Sequence, residues 1–269
     1  MKELDLASLP MLSSCQNARV KNYVDLRCDG NLRREQKRFL LEGKRSVAAA
    51  LNLPHIQVHE LIFSEQLLED MQLVEQGFER NIPITRVSKD VFKKITDVVA
   101  PQGIAAVVRI PEWNVAEILK RPDALLVAAC GLQDPGNVGT LIRSCEAAGA
   151  AALITLEGTA DPFNAKVVRA TAAGLLAMPI IRFKIDEFLA LAKRPGLRLV
   201  ATQAQGGTAY TQFDWKKRPL VLCIGSEGEG LPEAIDQVCT ERISIPMKGE
   251  AESLNAAVAA SILLFEAMR

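Results

Sequence analysis

The sequence predicts an α/β protein in two parts: a small N-terminal α/β domain and a larger, doubly wound domain on a mostly parallel sheet. Three observations carry this. Short apolar runs alternate with amphipathic stretches over residues 38–110 and again from 123 onward. In the second half the runs at 125–130, 151–156 and 220–224 are apolar throughout, as strands covered on both faces are. Near the end, two strand-to-loop-to-helix junctions carry glycine, which places a ligand site at the carboxyl ends of neighbouring strands.

Length and composition set the bounds. The 269 residues are comfortable for two domains, and 49% are apolar, enough to bury a sizeable core. Lys plus Arg equals Asp plus Glu, 32 of each, which argues against a non-specific nucleic-acid coat and leaves room for local basic patches. No apolar run approaches the roughly 20 residues that span a bilayer, so no membrane partner is expected. The first ten residues, MKELDLASLP, carry acids where a signal peptide has its apolar core. Six cysteines occur without a CxxC pair, and Cys130, Cys145 and Cys223 lie within apolar runs. They read as reduced core residues of a cytoplasmic protein.

Taken in order, residues 1–30 show weak periodicity and are expected to form a lead-in segment or an irregular helix. Residues 33–45, RREQKRFLLEGKR, hold six basic residues against two acids. This run is either a solvated charged face or a phosphate-contacting patch made by Arg33, Arg34, Lys37, Arg38, Lys44 and Arg45. Gly43 opens a helix, and 55–63 alternates as a strand. On that strand His55 and His59 stand about 13 Å apart, too far to share a metal. No other histidine exists, so no metal site is expected. A helix over 65–79, a strand over 82–87, a helix over 89–95 and a strand over 103–110 complete a domain spanning 31–110. Residues 111–122, with two prolines, read as a linker to a domain spanning 123–269. There, strands at 125–130, 151–156, 179–183 and 197–202 alternate with helices at 138–148, 164–172 and 187–193. A strand at 220–224 then empties into Gly225-Ser226-Glu227-Gly228-Glu229-Gly230, a loop whose glycines let a ligand approach the backbone. A last strand at 242–245 precedes a helix with Ser253 near its start and Leu254, Val258, Ile262 and Phe265 along one stripe.

The glycine order in that loop, G-x-x-G-x-G, is not the dinucleotide fingerprint, and no P-loop occurs. Three segments instead go together: Asn137, Gly139 and Arg143; Gly225-Ser226-Glu227-Gly228 with Leu231; and Ile245-Pro246-Met247 with Ser253-Leu254-Asn255. In type, order and spacing they resemble the three motifs of the SpoU (TrmH) family of RNA ribose 2′-O-methyltransferases. The resemblance implies a trefoil-knotted methyltransferase domain with S-adenosylmethionine held in the knot. It also implies an N-terminal RNA-binding domain, whose opening and closing segments are similar to 39–43 and 102–104 here, and pairing of two copies through the knotted domain.

The resemblance further implies the site. Arg143, Asn137, Glu227, Ser253 and Asn255 fall at catalytic positions. Gly225, Ile245 and Leu254 fall at cofactor positions, with Thr202, Gln203 and Ala204 in a loop along the cofactor. Each residue has a plainer reading: Arg143 paired with Glu146, Asn137, Ser253 and Asn255 as helix caps, Glu227 as a surface acid. Structured RNA, ribosomal rather than transfer RNA, is the expected substrate. The rival readings are a transfer-RNA enzyme, a non-catalytic RNA-binding or ribosome-assembly protein, and a nicotinamide-dependent enzyme. One departure stands out: after Arg169-Ala170-Thr171-Ala172 the family has glycine, whereas here Ala173 intervenes before Gly174.

Overall fold

The computed structural model describes residues 9–67, 71–96 and 98–269. In chain order the elements are β1 (Met11–Leu12), α1 (Ala18–Cys28), α2 (Gly30–Gln36), β2 (Arg38–Glu42), α3 (Lys44–Asn52), β3 (Val58–Ser64), α4 (Gln72–Glu79), β4 (Ile84–Val87), α5 (Lys89–Thr96) and β5 (Ile104–Arg109). There follow α6 (Val115–Ile118), β6 (Leu125–Ala129), α7 (Pro135–Ala147), β7 (Ala152–Thr155), α8 (Ala165–Ala170), α9 (Gly174–Ala177), β8 (Ile180–Arg182), α10 (Ile185–Ala192) and β9 (Arg198–Thr202). The chain ends with β10 (Thr208–Ala209), β11 (Leu220–Ile224), α11 (Glu233–Val238), β12 (Glu241–Ser244) and α12 (Ala256–Glu266). Contacts group them into two units, Met1–Pro111 with Phe163–Leu176, and Glu112–Pro162 with Ala177–Arg269.

The first unit holds a five-stranded mixed sheet in the order β1-β4-β3-β5-β2, with β5 antiparallel to both its neighbours. The expected lead-in is in fact regular: α1 buries Val20, Tyr23 and Leu26 against Leu40, Ile62 and Val107 of the sheet. Asp29 closes α1 through its N–H and opens α2 by accepting from the Asn31 amide at 2.7 Å. The expected helix over 65–79 is a single tight turn at Glu65–Leu67 followed by α4; positions 68–70 lie outside the described residues. Residues 39–43 and 102–104 meet directly. Gly43, at φ +95°, donates its N–H to the Ile104 carbonyl, and the Gln102 carboxamide accepts from the first amide of α3 at 2.8 Å. The stretch Phe163–Leu176 joins this unit by stacking Phe163 5.1 Å from Phe39 and by offering the Leu176 carbonyl to His55.

The strand expected from His55 begins only at Val58, and its alternation is broken by a register shift between Val58 and Glu60. His55 lies before it, so the two histidines do not share a strand. The basic run is also not one face. Phe39, Leu40 and Leu41 are core residues of β2, and Arg33 is only 2% exposed. Its guanidinium donates to the carbonyls of Leu26 and Arg27, at 2.8 and 2.9 Å, in the last turn of α1. Those carbonyls have no helical partner, so Arg33 is a buried cap for α1, which removes it from the phosphate-facing set.

The second unit carries a seven-stranded sheet, β10-β12-β9-β11-β6-β7-β8, parallel at every pairing. The central strands β6 and β11 are buried at every residue, as their uninterrupted apolar sequences require. Cys130, Cys223 and Cys239 pack with Val221, Ile235 and Leu126 in one core cluster and are free thiols. Burial pushes the Cys130 thiol up to about 12. From β6 the chain steps outward through β7 to β8, then crosses to β9, leaving a gap that β11 later fills. The reversal puts the carboxyl ends of β9, β11 and β12 side by side, where such sheets bind ligands.

Helix α12 departs from expectation. It starts at Ala256, and its buried side is Ala256, Ala257, Ala260, Leu263 and Leu264. The expected stripe is on the outside: Val258 is 46% and Phe265 51% exposed. Alanines on the inner side let α12 lie against α7, where Ser261 meets Ser144 at 2.6 Å. Its far end is held by Arg218, which donates to the carbonyls of Ala267 and Asp123.

Candidate active site

Three loops leave the carboxyl ends of β9, β11 and β12 and enclose a cavity of about 340 Å³. Thr202, Gln203, Ala204, Gly225, Ile245 and Leu254, the six residues expected at the cofactor, all line it. Ile224 and Leu263, which the sequence reading does not assign to the site, also line it, as does Met247, which it places in a motif without a role. Leu263 lies on α12, far from any motif, and carries no local signal. The Thr202 hydroxyl donates to the Cys223 carbonyl at 2.9 Å, so its side chain ties β9 to β11 and its backbone is the part left to face a ligand. At the opposite, amino ends of these strands, Arg198 of β9 grips Glu241 of β12 through Nε and Nη2, at 2.7 and 2.6 Å, and lies over the Phe213 ring. That ion pair holds the Glu241 carboxyl below its usual range.

The glycine loop is closed on itself. Ser226 and Gly230 exchange both backbone hydrogen bonds at 3.0 Å, and Gly230 turns at φ +70°. A Cβ at Gly225 would collide with the Gly230 carbonyl and come within 2.5 Å of the Leu231 amide, so this position admits only glycine. The loop is therefore a rigid wall. Among the described residues no lysine or arginine lines the cavity, whereas Glu227 and Glu229 do. A polyphosphate would find no cation there. A ligand with one apolar ring and one positive charge suits walls of Ile224, Leu254 and Leu263 flanked by carboxylates.

At the rim, the candidate catalytic residues form a bonded group. Asn137 donates through Nδ2 to Glu227 Oε1. Asn255 donates through Nδ2 to Asn137 Oδ1 at 2.9 Å and, more distantly, to Glu227 Oε1 at 3.4 Å. Asn255 is the cap of α12, its Oδ1 accepting from the amides of Ala257 and Val258. Ser253 is not a cap; it is exposed on the cavity wall. Asn137 is not the cap of α7 either. Asp134 is, accepting from the Asn137 amide at 2.9 Å with Pro135 in the first turn, which leaves the Asn137 carboxamide free for Glu227. The Asp-Pro pair was the readable signal for that cap. Thr159 fixes the loop before α7, accepting from Gly131 N at 3.1 Å and donating to the Ala129 carbonyl at 2.9 Å; it is remote in sequence and carried no signal.

Arg143 stands apart. It lies on α7, exposed, outside the cavity lining, and makes no hydrogen bond or ion pair among the described residues, so the pairing with Glu146 is not formed. Glu227 braces Asn137, not Arg143. Of the basic set, Arg34 bonds Asn31 within α2, while Arg38, Lys44 and Arg45 lie on β2 and α3 of the first unit.

Fold and cavity together define an α/β protein that holds a small ligand on strand-end loops, between apolar walls and carboxylates. The chain belongs to the SpoU rRNA methylase family, whose description matches residues 124–265, and residues 17–106 match an MRM3-like substrate-binding domain. It is 33% identical to the Bacillus subtilis 23S rRNA (guanosine(2553)-2′-O)-methyltransferase RlmP, over 96% of this chain and 98% of that protein. The AdoMet-bound rRNA methyltransferase from Sinorhizobium meliloti superposes with a TM-score of 0.86 at 32% identity, over 96% of this chain and 97% of that one. The SpoU methyltransferase AviRb from Streptomyces viridochromogenes, in complex with AdoMet, superposes with a TM-score of 0.82 at 32% identity, over 94% and 98%.

Proposed function

We propose that this protein transfers the methyl group of S-adenosylmethionine to a ribose 2′-hydroxyl of ribosomal RNA. The observation that carries the reading is the cation-free cavity of Gly225, Ile245 and Leu254 with the Asn137–Glu227–Asn255 group on its rim. When bound, the cofactor supplies an electrophilic methyl on a positively charged sulfur. The chain's own residues supply position. Gly225, Ile245 and Leu254 hold the adenine end, and Thr202, Gln203 and Ala204 lie along it. Asn137, Asn255 and Glu227 order the acceptor side, with Ser253 on the cavity wall beside them. Arg143 is a phosphate fork that stabilises the hydroxyl oxygen as charge develops; a guanidinium does not give up its own proton in proteins.

The working enzyme is a homodimer through the second unit, and the exposed Val258 and Phe265 of α12, with Met268 just beyond it, are the apolar surface a second copy would cover. The position of Arg143 outside its own cavity suits a role in the partner's site. The family likeness supports a trefoil knot in the C-terminal segment. The division of labour follows the sequence reading: 31–110 for RNA, with Arg34, Lys37, Arg38, Lys44 and Arg45 toward phosphate, 111–122 as linker and 123–269 for methyl transfer. Among the described residues no helix is long and apolar enough to cross a membrane, and an enzyme of ribosomal RNA works in the cytoplasm.

The test is to map 2′-O-methyl groups in total RNA from cells with and without this protein. One ribosomal position should lose its methyl. A loss confined to transfer RNA would move the substrate, and no loss in any RNA would leave a non-catalytic binding protein.

A further inference from the structure

One end of the first unit's sheet carries an uncompensated charge. Strand β2 begins with Arg38 and β5 ends with Arg109, and their antiparallel register sets the two directly opposite. Like charges so placed destabilise a strand pair. Among the described residues neither guanidinium has a carboxylate partner. Arg109 makes one long bond, 3.4 Å to Gln57 Oε1, and the Arg38 side chain makes none.

A third group is aimed at the pair. By alternation Arg38 shares a face with Leu40, and Arg109 with Val107. His59 on β3 would, in a regular strand, share the opposite face with Leu61 and Phe63. The register shift between Val58 and Glu60 makes His59 the extra residue of a bulge, and bulges re-aim a side chain. The imidazole lies near enough to both arginines to feel them: burial first, then Arg38 and Arg109, hold its pKa below the ordinary value. In either protonation state the ring has an N–H to donate. Strand β2 is at the edge of the sheet, and at this end Arg109 is exposed and Arg38 partly so.

We propose that Arg38, Arg109 and His59 form a notch for one phosphodiester of the RNA backbone, its two non-bridging oxygens gripped between two guanidinium groups with the imidazole donating to one of the same two oxygens. The notch rests on the ribosomal-RNA reading above and adds to it two residues, Arg109 and His59, that no motif marks. It accounts for the like-charge pair, since the anion that compensates it arrives with the substrate.

The test uses the full-length protein and protein-free 23S rRNA, with binding measured between 50 and 200 mM KCl. Because one phosphate is shared, Arg38→Ala, Arg109→Ala and the double variant should each lower the salt slope by the same single step of about 0.7 to 0.9. His59→Ala should weaken binding with little change in slope, and His59→Gln, which keeps a donor, should restore it. Calorimetric affinity for S-adenosylmethionine should be unchanged throughout, and Arg109→Ala should melt no lower than wild type because a repulsion has been relieved. Slope losses that add in the double variant mean two separate phosphates and overturn the shared notch. Unchanged RNA binding in all variants, with wild-type methylation intact, overturns the notch and spares the enzyme reading. A wild type that neither binds nor methylates the RNA removes both.

Discussion

Asn255 does two separable jobs, and a pair of substitutions tells them apart. Its Oδ1 caps α12 through Ala257 and Val258, while its Nδ2 ties that helix to Asn137 and Glu227. Losing the cap costs about 1 kcal/mol. Losing the donor costs about another 1 kcal/mol, since such a bond has a net worth of that order. Asn255→Ala removes both, about 2 kcal/mol, or roughly 4–8 °C in Tm for a chain of this size. Asn255→Ser keeps an oxygen for the cap but has no amide to donate, so it should lose about half as much. Turnover should behave differently. Both variants leave the Asn137 carboxamide held by Glu227 alone, and a displacement of about 1 Å at the acceptor is worth on the order of a hundredfold. The two should therefore differ in calorimetric Tm yet lose comparable kcat toward 23S rRNA. A serine variant with wild-type Tm and wild-type kcat would show that the bond between the asparagines contributes nothing, and the bracing argument would fall.

Arg143→Ala should lower kcat by orders of magnitude while calorimetric affinity for S-adenosylmethionine stays within a few-fold, because Arg143 is outside the cavity; recovery of rate at high pH would instead mark it as the proton acceptor. Burial raises the Glu42 carboxyl to about 7 against the opposing pull of Arg169 and Arg27. Its neutral form is favoured on folding, so the stability it gives is complete below its ordinary value of 4.5 and is lost as pH rises through 7. Glu42→Gln should then leave Tm unchanged at pH 4.5 and raise it at pH 8, by a few degrees after allowing for partial exposure; an equal shift at both pH values would contradict this. Ala172 and Ala173 have φ of +48° and +78°, the left-handed region that costs an alanine about 1 kcal/mol. Ala173→Gly should raise Tm by about 2–4 °C, and a fall would show that neighbours compensate the strain.

The second unit was legible because its strands are continuous apolar runs that end in glycine or small polar residues. Gly225, Ile245 and Leu254, which the family resemblance groups as cofactor positions, line one cavity in the folded chain. What escaped depends on partners distant in the chain. Arg33 reads as one more charge in a basic run, and only the bend between α1 and α2, which turns two orphan carbonyls inward, makes it a buried cap. Period counting gave α12 the wrong face because nearly every side of it is apolar, so the choice fell to which residues fit closest to α7, and those are the alanines. The bulge at His59 left no mark, since its cause is the register with β5 rather than any residue in β3. The family resemblance assigns Asn137 and Asn255 to the site, with capping as the plainer alternative, but neither reading shows their bond, which joins positions 118 apart and exists only in the folded chain.

The place of β11 in the sheet bears on how the molecule is made. It pairs with β6 on one side and β9 on the other, both of which leave the ribosome first. Through the synthesis of some ninety residues β6 must wait with one edge unpaired, while β9, made shortly before β11 and flanked on its other side by the still later β12, waits with both edges unpaired. The sheet can close only when the latecomer is inserted between them, a pairing of long sequence separation and therefore a slow one. The glycine loop follows β11 directly, so the cavity has no wall before that insertion. A cofactor that binds only the closed form draws this last step forward by mass action. Cells short of S-adenosylmethionine should therefore accumulate the open, edge-exposed intermediate, and yield of intact protein should track the supply of its own methyl donor.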